Sequence, residues 1–332
     1  MKKFKAAVIG LGVGKAHINS LLKNKYISKI KIFDKNKNKL NKFKKNNHIH
    51  KCTNINEIFK DNDVKLICIA SYDEFHFEQI KLALKYNKHV FAEKPALTNI
   101  KDAKLIRKIL KKKKNLYFGS NYILRKSELF IELKKLISKN FFGEVYYVES
   151  DYNYGRLNKI TNGWRSKDKN YSVNLGGGIH IINLILYLFD SKIHEVQSYS
   201  NKKITKSTNF KNDDFVVSIL KSKENKIFKI SSNFGCVYPH FHKLTLYGGK
   251  RTFEHSPLNS IVYYMRNKNR YKKLGFKNKY KSKGEYLNEF ISSIVLRKNK
   301  SLYLDETFQS LSIAFTIEKS LKSNKPEKVI YI

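Results

Sequence analysis

Short apolar runs alternate with longer amphipathic stretches along the first third of the chain. The pattern predicts buried strands over residues 4–9, 30–33, 65–70, 89–92 and 116–119. Helical periodicity predicts helices over residues 17–22, 74–86 and 99–113. Strands that alternate with helices at this spacing are typical of a parallel sheet with helices on both faces. We therefore expect residues 1–121 to form a doubly wound Rossmann domain.

The pattern changes after about residue 121. Helices are predicted over residues 128–139, 174–189, 286–296 and 307–322, and strands over 144–154, 194–200, 214–220, 226–234 and 242–248. Strands that follow one another without intervening helices favour an antiparallel meander. We expect residues 122–332 to form an α+β domain with a large, mostly antiparallel sheet for substrate binding and oligomerisation. The last helix is expected to pack back on the first domain.

The chain is strongly basic, with 67 Lys and Arg against 27 Asp and Glu and a formal net charge of +40. Only 8 of the basic residues are Arg, and the 59 Lys are spread along the whole chain. Because Arg provides the rigid fork that reads phosphates and base edges, we interpret the charge as a lysine-coated surface, not as a nucleic-acid site. The stretch 266–283 mixes basic and aromatic residues. It is either a solvated loop or a loop that binds a polyphosphate.

The cysteine and hydropathy patterns favour a cytoplasmic protein. Cys52, Cys68 and Cys236 are too few for a disulfide framework and form no C-x-x-C pair, so we expect no structural metal site. No apolar run reaches the roughly 18 residues that a membrane helix needs. The apolar stretch at the N-terminus lacks a signal-peptide cleavage site and leads directly into a glycine turn.

That glycine turn, Gly10-Leu11-Gly12-Val13-Gly14, follows a strand and opens a helix. In this context glycines allow a tight turn and let the backbone approach a pyrophosphate at the helix N-terminus. The last glycine comes one residue early for G-x-G-x-x-G. Asp34 ends the second predicted strand, where an acid accepts hydrogen bonds from the adenosine ribose and favours NAD over NADP. Lys35 softens that preference, so NADP stays possible.

A second motif, Ala92-Glu93-Lys94-Pro95, follows the fourth predicted strand. Together with the glycine turn it resembles the Gfo/Idh/MocA oxidoreductases, the family of glucose–fructose oxidoreductase and inositol dehydrogenase. Other segments match the family in order and spacing over essentially the whole chain: Gly12–His17, Ile69–Ser71 through His76, Asn121–Arg125, Gly143–Val145, Gly163–Arg165 and Gly176–His180. The resemblance implies an NAD(P)-dependent dehydrogenase or reductase that acts on CH–OH groups.

The resemblance also implies roles for two residues. Lys94 corresponds to the family's catalytic acid/base beside the nicotinamide, and a lysine with a lowered pKa suits that proton transfer. His180 corresponds to a histidine that holds the substrate hydroxyl or shares its proton. Many members carry Asp four residues before this histidine, but here that position is Gly176. Either Lys94 and His180 work as a pair, or another acid assists them, with Glu149 and Asp151 as candidates.

The remaining candidate residues are assigned by the resemblance and by their chemistry. The predicted cofactor contacts are Gly10, Gly12, Val13, Gly14, Asp34, Lys35, Ser71, His76, Glu93, Lys94, Asn121, Trp164 and Arg165. The predicted substrate contacts are Lys94, Arg125, Tyr154, Arg156, His180 and Asn183. The arginines fit recognition of a phosphate or carboxamide, although ordinary ion pairs explain them as well.

Three functional hypotheses follow. The first is hydride transfer between the nicotinamide and a ring carbon of a sugar or cyclitol, with a nucleotide-linked or modified sugar of surface-polysaccharide biosynthesis as the favoured substrate. The second is a dehydrogenase of free inositol or a free sugar. The third is a non-catalytic dinucleotide-binding protein. We expect no nucleic-acid or membrane partner, and a homodimer or homotetramer that forms through the C-terminal sheet.

Overall fold

The computed structural model describes residues 3–43, 46–266, 270–274 and 284–332. The chain divides into two compact units. The first comprises Met1–Lys126, Tyr280–Gln309 and Ile332, and the second comprises Ser127–Lys279 and Ser310–Tyr331. Within the described residues, no helix has both the length and the apolar character needed to cross a membrane.

The first unit is built on a six-stranded parallel sheet. Its strands are β1 (Phe4–Ile9), β2 (Ile27–Phe33), β3 (Ile49–Lys51), β4 (Val64–Ile69), β5 (His89–Ala92) and β6 (Phe118–Ser120). The strand order is β3-β2-β1-β4-β5-β6, in which the chain first moves to one edge and then, from β1, to the other. The crevice at such a reversal is where doubly wound folds bind ligands. The prediction of a Rossmann fold is confirmed.

The helices of the first unit lie close to their predicted positions, with some additions. They are α1 (Gly14–Leu22), α2 (Lys37–Asn41), α3 (Asn56–Phe59), α4 (His76–Lys85) and α5 (Ile100–Lys112). The sequence analysis missed α2, α3 and β3. Each has five residues or fewer, which is too short for a periodic hydrophobic pattern to identify.

A helix from the end of the chain completes the first unit. Helix α9 (Glu285–Leu296) packs on α1, and the Ser20 hydroxyl donates to the carbonyl of Gly284 at 2.8 Å. Phe290 packs against Phe91, with 5.2 Å between ring centroids. These contacts explain why residues 280–309 group with the first unit, whereas the predicted boundary placed everything after residue 121 in the second.

The second unit contains a nine-stranded mixed sheet. Its strands are β7 (Val145–Asn153), β8 (Ile193–Asn201), β9 (Phe215–Ser222), β10 (Ile227–Asn233), β11 (Phe241–Gly248), β12 (Thr252–His255), β13 (Ser260–Tyr263), β14 (Tyr271–Lys273) and β15 (Glu327–Lys328). The order is β14-β13-β12-β11-β7-β10-β9-β8-β15. The large, mostly antiparallel sheet is confirmed.

The predicted meander is only partly correct. Strand β7 lies between β10 and β11, parallel to β10 and antiparallel to β11. The strands β8, β9 and β10 do form an antiparallel meander. A simple meander was expected because neighbours in sequence often pair. The insertion of β7 is a long-range pairing with no local signal.

Helices cover one face of this sheet. They are α6 (Glu128–Ser138), α8 (Ile179–Phe189) and the C-terminal part of α10 (Lys300–Ser323). The second unit also contains the short helix α7 (Asn158–Thr161). Eight of the eleven residues of α8 are buried, which agrees with its apolar sequence. The opposite sheet face carries Tyr199 and Ile219, which are 64% and 42% exposed. Residues of the stretch 266–283 lie largely outside the described part of the chain, so the two hypotheses for that loop stay open.

Candidate active site

The three glycines of the turn after β1 have separate roles. A side chain at Gly10, where φ is +92°, would put its Cβ 2.4 Å from the carbonyl of Ala70. A Cβ on Gly14 would lie 2.9 Å from Val8, so this glycine lets α1 approach β1 closely. A Cβ on Gly12 meets no atom within 4 Å. Gly12 therefore leaves an open space beside the backbone, as the approach of a dinucleotide pyrophosphate requires.

The turn is held in place by Asp34, the residue after β2. The amide of Leu11 donates to Asp34 Oδ2 at 2.7 Å, and the amide of Asn36 donates to Oδ1 at 2.8 Å. The ammonium of Lys35 lies 5.7 Å from the ring of Phe75. Val13 is 47% exposed. The acid predicted to select NAD therefore lies directly beside the glycine turn.

The motif after β5 is anchored from two sides. Glu93 Oε1 accepts hydrogen bonds from His17 Nε2 and Asn121 Nδ2, both at 2.8 Å. Burial opposes ionisation of Glu93, but these two hydrogen bonds and the positive charges of His17 and Lys94 outweigh it and lower its pKa to about 2. Lys94 follows directly and is joined to Pro95 by a cis peptide bond. Lys94 thus stands at the carboxyl end of a parallel strand, next to an ionised carboxylate.

Two more predicted residues support this segment. The ring of His76, which is fully buried, bridges the carbonyl of Pro95 at 2.9 Å and the carbonyl of Ser71 at 3.2 Å. The hydroxyl of Ser71 donates to Gln79 at 2.8 Å. His76 therefore ties the end of β4 to the Glu93–Pro95 segment.

Arg125, predicted to contact substrate, lies in a buried ion pair. Its guanidinium is 2.5 Å from the carboxylate of Glu306, and both side chains are nearly buried. Tyr286 donates a hydrogen bond to the same carboxylate at 2.5 Å. This pairing gives Arg125 a structural role within the first unit.

The second unit holds the other candidates, grouped around the triple glycine. Residues Asn174–Gly178 form a π-helical turn that leads directly into α8, and His180 is the second residue of α8. A Cβ on Gly177 would lie 2.6 Å from Tyr152, and one on Gly178 would lie 2.2 Å from Ser232. The glycines are therefore required because the start of the helix packs directly on the sheet.

Gly176, four residues before His180, has no room for a side chain unless Tyr171 moves. Its Cβ would lie 2.0 Å from the hydroxyl of Tyr171. Arg165 Nε donates to that hydroxyl at 3.0 Å. The phenol of Tyr171 therefore occupies the place where a carboxylate at position 176 would begin, and this could not be read from the sequence.

Neither of the two acids suggested as replacements lies near His180. The ring of His180 stacks on Tyr152, with 6.1 Å between centroids. Because successive strand residues point to opposite faces, Glu149 and Asp151 lie on the other side of the sheet from Tyr152. Asp151 there accepts hydrogen bonds from Lys229 and Ser231, both at 2.6 Å.

A third acid, Glu318, was not predicted. Its Oε1 accepts hydrogen bonds from the Ser172 hydroxyl at 2.5 Å and from Asn174 Nδ2 at 2.9 Å. It comes from helix α10, 144 residues after Asn174, so no local pattern could have identified it. Glu318 fixes the chain just before the triple glycine.

Two histidines that the sequence analysis also missed surround Tyr152. His240 Nε2 lies 3.1 Å from the Tyr152 hydroxyl, and His242 packs edge-on at 5.1 Å between ring centroids. Tyr154 stacks on Phe234 at 4.5 Å. Burial and the neighbouring Tyr171 raise the pKa of Tyr152. Tyr152, Tyr154, Phe234, His240 and His242 thus form a cluster of aromatic rings beside His180.

Three further charged or polar candidates lie in the second unit. The guanidinium of Arg156 lies 5.9 Å from the Tyr154 ring, and that of Arg165 lies 4.7 Å from Trp164. Arg156 is exposed. Asn183, by contrast, is buried and donates to the hydroxyl of Ser310 at 3.0 Å, which is a packing contact between helices.

These observations fit a dinucleotide at the first unit. The space beside Gly12, the N-terminus of α1 without acidic residues in its first turn, and the carboxylate of Asp34 together suit a pyrophosphate and a ribose. Comparison with known sequences agrees. Residues 4–121 match the oxidoreductase family with an NAD-binding Rossmann fold, and residues 130–254 match the Gfo/Idh/MocA C-terminal domain. The chain belongs to the Gfo/Idh/MocA oxidoreductase family, and the predicted NAD-binding domain is confirmed.

Several relatives carry names that fit this class. The uncharacterized oxidoreductase YhhX of Escherichia coli is 29% identical over 62% of this chain, and the match spans only 57% of YhhX. Glucose-6-phosphate 3-dehydrogenase of Bacillus subtilis is 26% identical over 78% of this chain and 76% of its own length. The structure of scyllo-inositol dehydrogenase from Lactobacillus casei with bound NAD(H) and scyllo-inositol has a TM-score of 0.82 at 16% identity, covering 98% of this chain and 99% of that one.

Proposed function

We propose that the protein is an NAD-dependent oxidoreductase that transfers a hydride between the nicotinamide and a ring carbon of a sugar or cyclitol. The observation that carries this proposal is the position of Lys94 at the end of β5, beside the ionised Glu93. Membership of the family and the names of the relatives support it. When bound, the nicotinamide supplies the hydride acceptor or donor.

The proposed role of Lys94 is to move the proton of the reacting hydroxyl. An alcohol that loses hydride from carbon must also lose a proton from oxygen, and a positioned amine performs that step. Glu93, His17 and Asn121 act as positioning residues, because they fix the segment that precedes the lysine.

In the second unit, His180 and Tyr171 are proposed to hold substrate hydroxyls. A side chain at position 176 would place its Cβ 2.0 Å from the Tyr171 hydroxyl, so we assign the hydrogen bonding to this phenol, which Arg165 orients. A phenol donates and accepts a hydrogen bond but stays neutral near pH 7. The transferred proton is therefore assigned to Lys94, with His180 assisting.

The preferred substrate is a sugar that carries an anionic group, such as a nucleotide-linked sugar of surface-polysaccharide biosynthesis. The exposed Arg156, whose guanidinium lies 5.9 Å from the Tyr154 ring, offers a group that can bind a phosphate. The match to a glucose-6-phosphate dehydrogenase is consistent with a phosphorylated substrate. Free inositol or a free sugar is the alternative that the inositol dehydrogenase neighbour favours.

We also propose a cytoplasmic homo-oligomer that pairs through the open sheet face. Tyr199 and Ile219 lie on that face, where Tyr147 and Tyr247 also stack at 5.4 Å. This uncovered sheet face combines exposed apolar side chains with the Asp151–Lys229 ion pair, a mixture that suits association with a second copy.

The test is a substrate screen of the purified protein with NAD and NADP, followed at the nicotinamide absorbance. It compares free cyclitols, free sugars, sugar phosphates and nucleotide sugars. Turnover of an anionic sugar, with kcat/KM reduced at least about tenfold in Arg156→Ala, supports the proposal. Turnover of a free cyclitol that Arg156→Ala leaves unchanged supports the alternative. Dinucleotide binding without turnover of any compound would favour a non-catalytic protein.

A further inference from the structure

We propose that His50, Cys52 and Glu57 form a zinc-binding site at the edge of the first unit. Each residue offers one ligand atom, and the three atoms all lie within 4.8 Å of one another. The site lies outside the predicted cofactor contacts and is independent of the proposed function.

The local fold brings the three side chains together. His50 belongs to β3, and Cys52 lies two residues further along the extended chain, so both point to the same face. Glu57 lies in α3, and its side chain points towards the residues that precede this helix. Its Oε1 accepts hydrogen bonds from the amides of Thr53 at 2.9 Å and Asn54 at 2.8 Å. The carboxylate is thereby fixed with Oε2 3.7 Å from His50 Nε2.

The donor set selects the metal. A thiolate, an imidazole nitrogen and a carboxylate oxygen are the ligands that Zn²⁺ takes in proteins, whereas Mg²⁺ and Ca²⁺ prefer oxygen alone. Zinc–ligand distances of about 2.0–2.3 Å place ligand atoms roughly 3.5 Å apart. The distance of 3.7 Å between His50 Nε2 and Glu57 Oε2 is close to that value, and the Cys52 sulfur lies within 4.8 Å of a ligand atom of each of these residues. The side chain of His50 is 60% exposed, so its ring can move to complete the metal coordination.

A nearby cation does not compete for the site. The ammonium of Lys31 lies against the same segment and donates to the carbonyl of Glu57 at 2.8 Å. It is paired with Asp61, also at 2.8 Å, so its charge is compensated. The exposed side of His50 leaves the fourth position to water.

Zinc at this point would join the sheet edge to the next helix. Strand β3 has only three residues, and the amide of Cys52 continues its pairing by donating to the carbonyl of Ile32 at 2.9 Å. A metal bond between β3 and α3 would stabilise this short edge. The sequence predicted no metal site because its cysteines form no C-x-x-C pair, and the H-x-C-x₄-E spacing of these three residues contains only one cysteine.

The test uses Co²⁺ as a spectroscopic probe in chelator-treated protein. A sulfur-to-cobalt charge-transfer band appears only when a thiolate binds the metal, and Zn²⁺ should displace it. We expect the band in the wild type, its loss in Cys52→Ser, and affinity at least about tenfold weaker in His50→Gln and Glu57→Gln, since even outer-shell changes cost that much. His50 is exposed, so His50→Gln keeps the fold.

Two matched variants serve as controls. His48→Gln removes a neighbouring exposed histidine that contacts the carbonyl of Ser28, and Cys236→Ser removes a cysteine outside the cluster. Both should keep the band, and Zn²⁺ should raise the unfolding temperature of both but not of Cys52→Ser. Absence of the band in the wild type, or a band that persists in Cys52→Ser, would overturn the proposal.

Discussion

His17 Nε2 donates a hydrogen bond to Glu93 Oε1 across 2.8 Å and so connects the helix after the glycine turn to the strand end that carries Lys94. The two residues are 76 positions apart in sequence. Both belong to motifs that the sequence analysis identified separately, the glycine turn and the Glu-Lys-Pro segment. Their contact makes the two motifs one structural element within the first unit.

This contact predicts a specific pH dependence of stability. The pKa of Glu93 is about 2, below its ordinary value of 4.5, so its ionised form stabilises the fold above about pH 4.5. That contribution is lost as the pH falls from 4.5 towards 2. We expect Glu93→Gln to be less stable than the wild type at pH 7 and to lose less stability over this range. Urea unfolding at several pH values measures the stability of both proteins. Parallel curves of stability against pH would contradict the lowered pKa of Glu93.

Substitution of two glycines in the turn should have different effects, one on NADH binding and the other on stability. Gly12→Ala places a Cβ in open space, so we expect unchanged thermal stability and at least about tenfold weaker NADH binding, because the backbone can no longer approach the pyrophosphate. In Gly10→Ala an alanine would have to adopt a positive φ, with its Cβ 2.4 Å from the carbonyl of Ala70. This variant should lower the free energy of unfolding by about 1 kcal/mol or more. Nicotinamide fluorescence and thermal unfolding measure the two effects. Normal NADH binding by Gly12→Ala would argue against a pyrophosphate at this turn.

The packing at Gly176 predicts an overpacking penalty. Gly176→Ala should lower the free energy of unfolding by about 1–3 kcal/mol, because the alanine Cβ would lie 2.0 Å from the Tyr171 hydroxyl. Combination with Tyr171→Ala should recover part of that cost, which a double-mutant cycle by urea unfolding measures. Gly249→Ala is the matched control, since its Cβ meets only one atom, at 3.9 Å. Additive costs in the cycle would show that Tyr171 does not limit position 176.

Tyr171→Phe tests the proposed role of the phenol. The variant keeps the ring but removes the hydroxyl that Arg165 orients, so we expect kcat to fall at least about tenfold with little change in thermal stability. Tyr199→Phe changes a tyrosine on the open sheet face and should leave kcat unaltered. A rise in KM alone would limit Tyr171 to holding the substrate, and no change in either kcat or KM would limit it to packing.

Much of the fold could be predicted because its signals are local. The apolar runs of β1, β4 and β5, together with the glycine turn and the Glu-Lys-Pro segment, are sufficient to indicate the Rossmann unit. The position of β7 between β10 and β11 depends on long-range pairing, and β3 is too short for a pattern.

The candidate site was predictable in its motifs but not in its contacts. Lys94 and His180 were predicted from their place in the motifs. Two contacts could be identified only in the folded structure: that of the Tyr171 phenol with Gly176, and that of the Glu318 carboxylate with Asn174. Tyr171 and Glu318 each come from a segment without any motif of its own.

The proposed reaction depends above all on Lys94, which moves the substrate proton. The most direct test compares wild type, Lys94→Ala and Lys101→Ala, a change to an exposed lysine in α5, in NADH binding and in turnover of the best substrate found. We predict that all three bind NADH, that Lys101→Ala turns over normally, and that Lys94→Ala loses at least about 10²-fold in kcat. Turnover by Lys94→Ala at the wild-type rate would contradict the account.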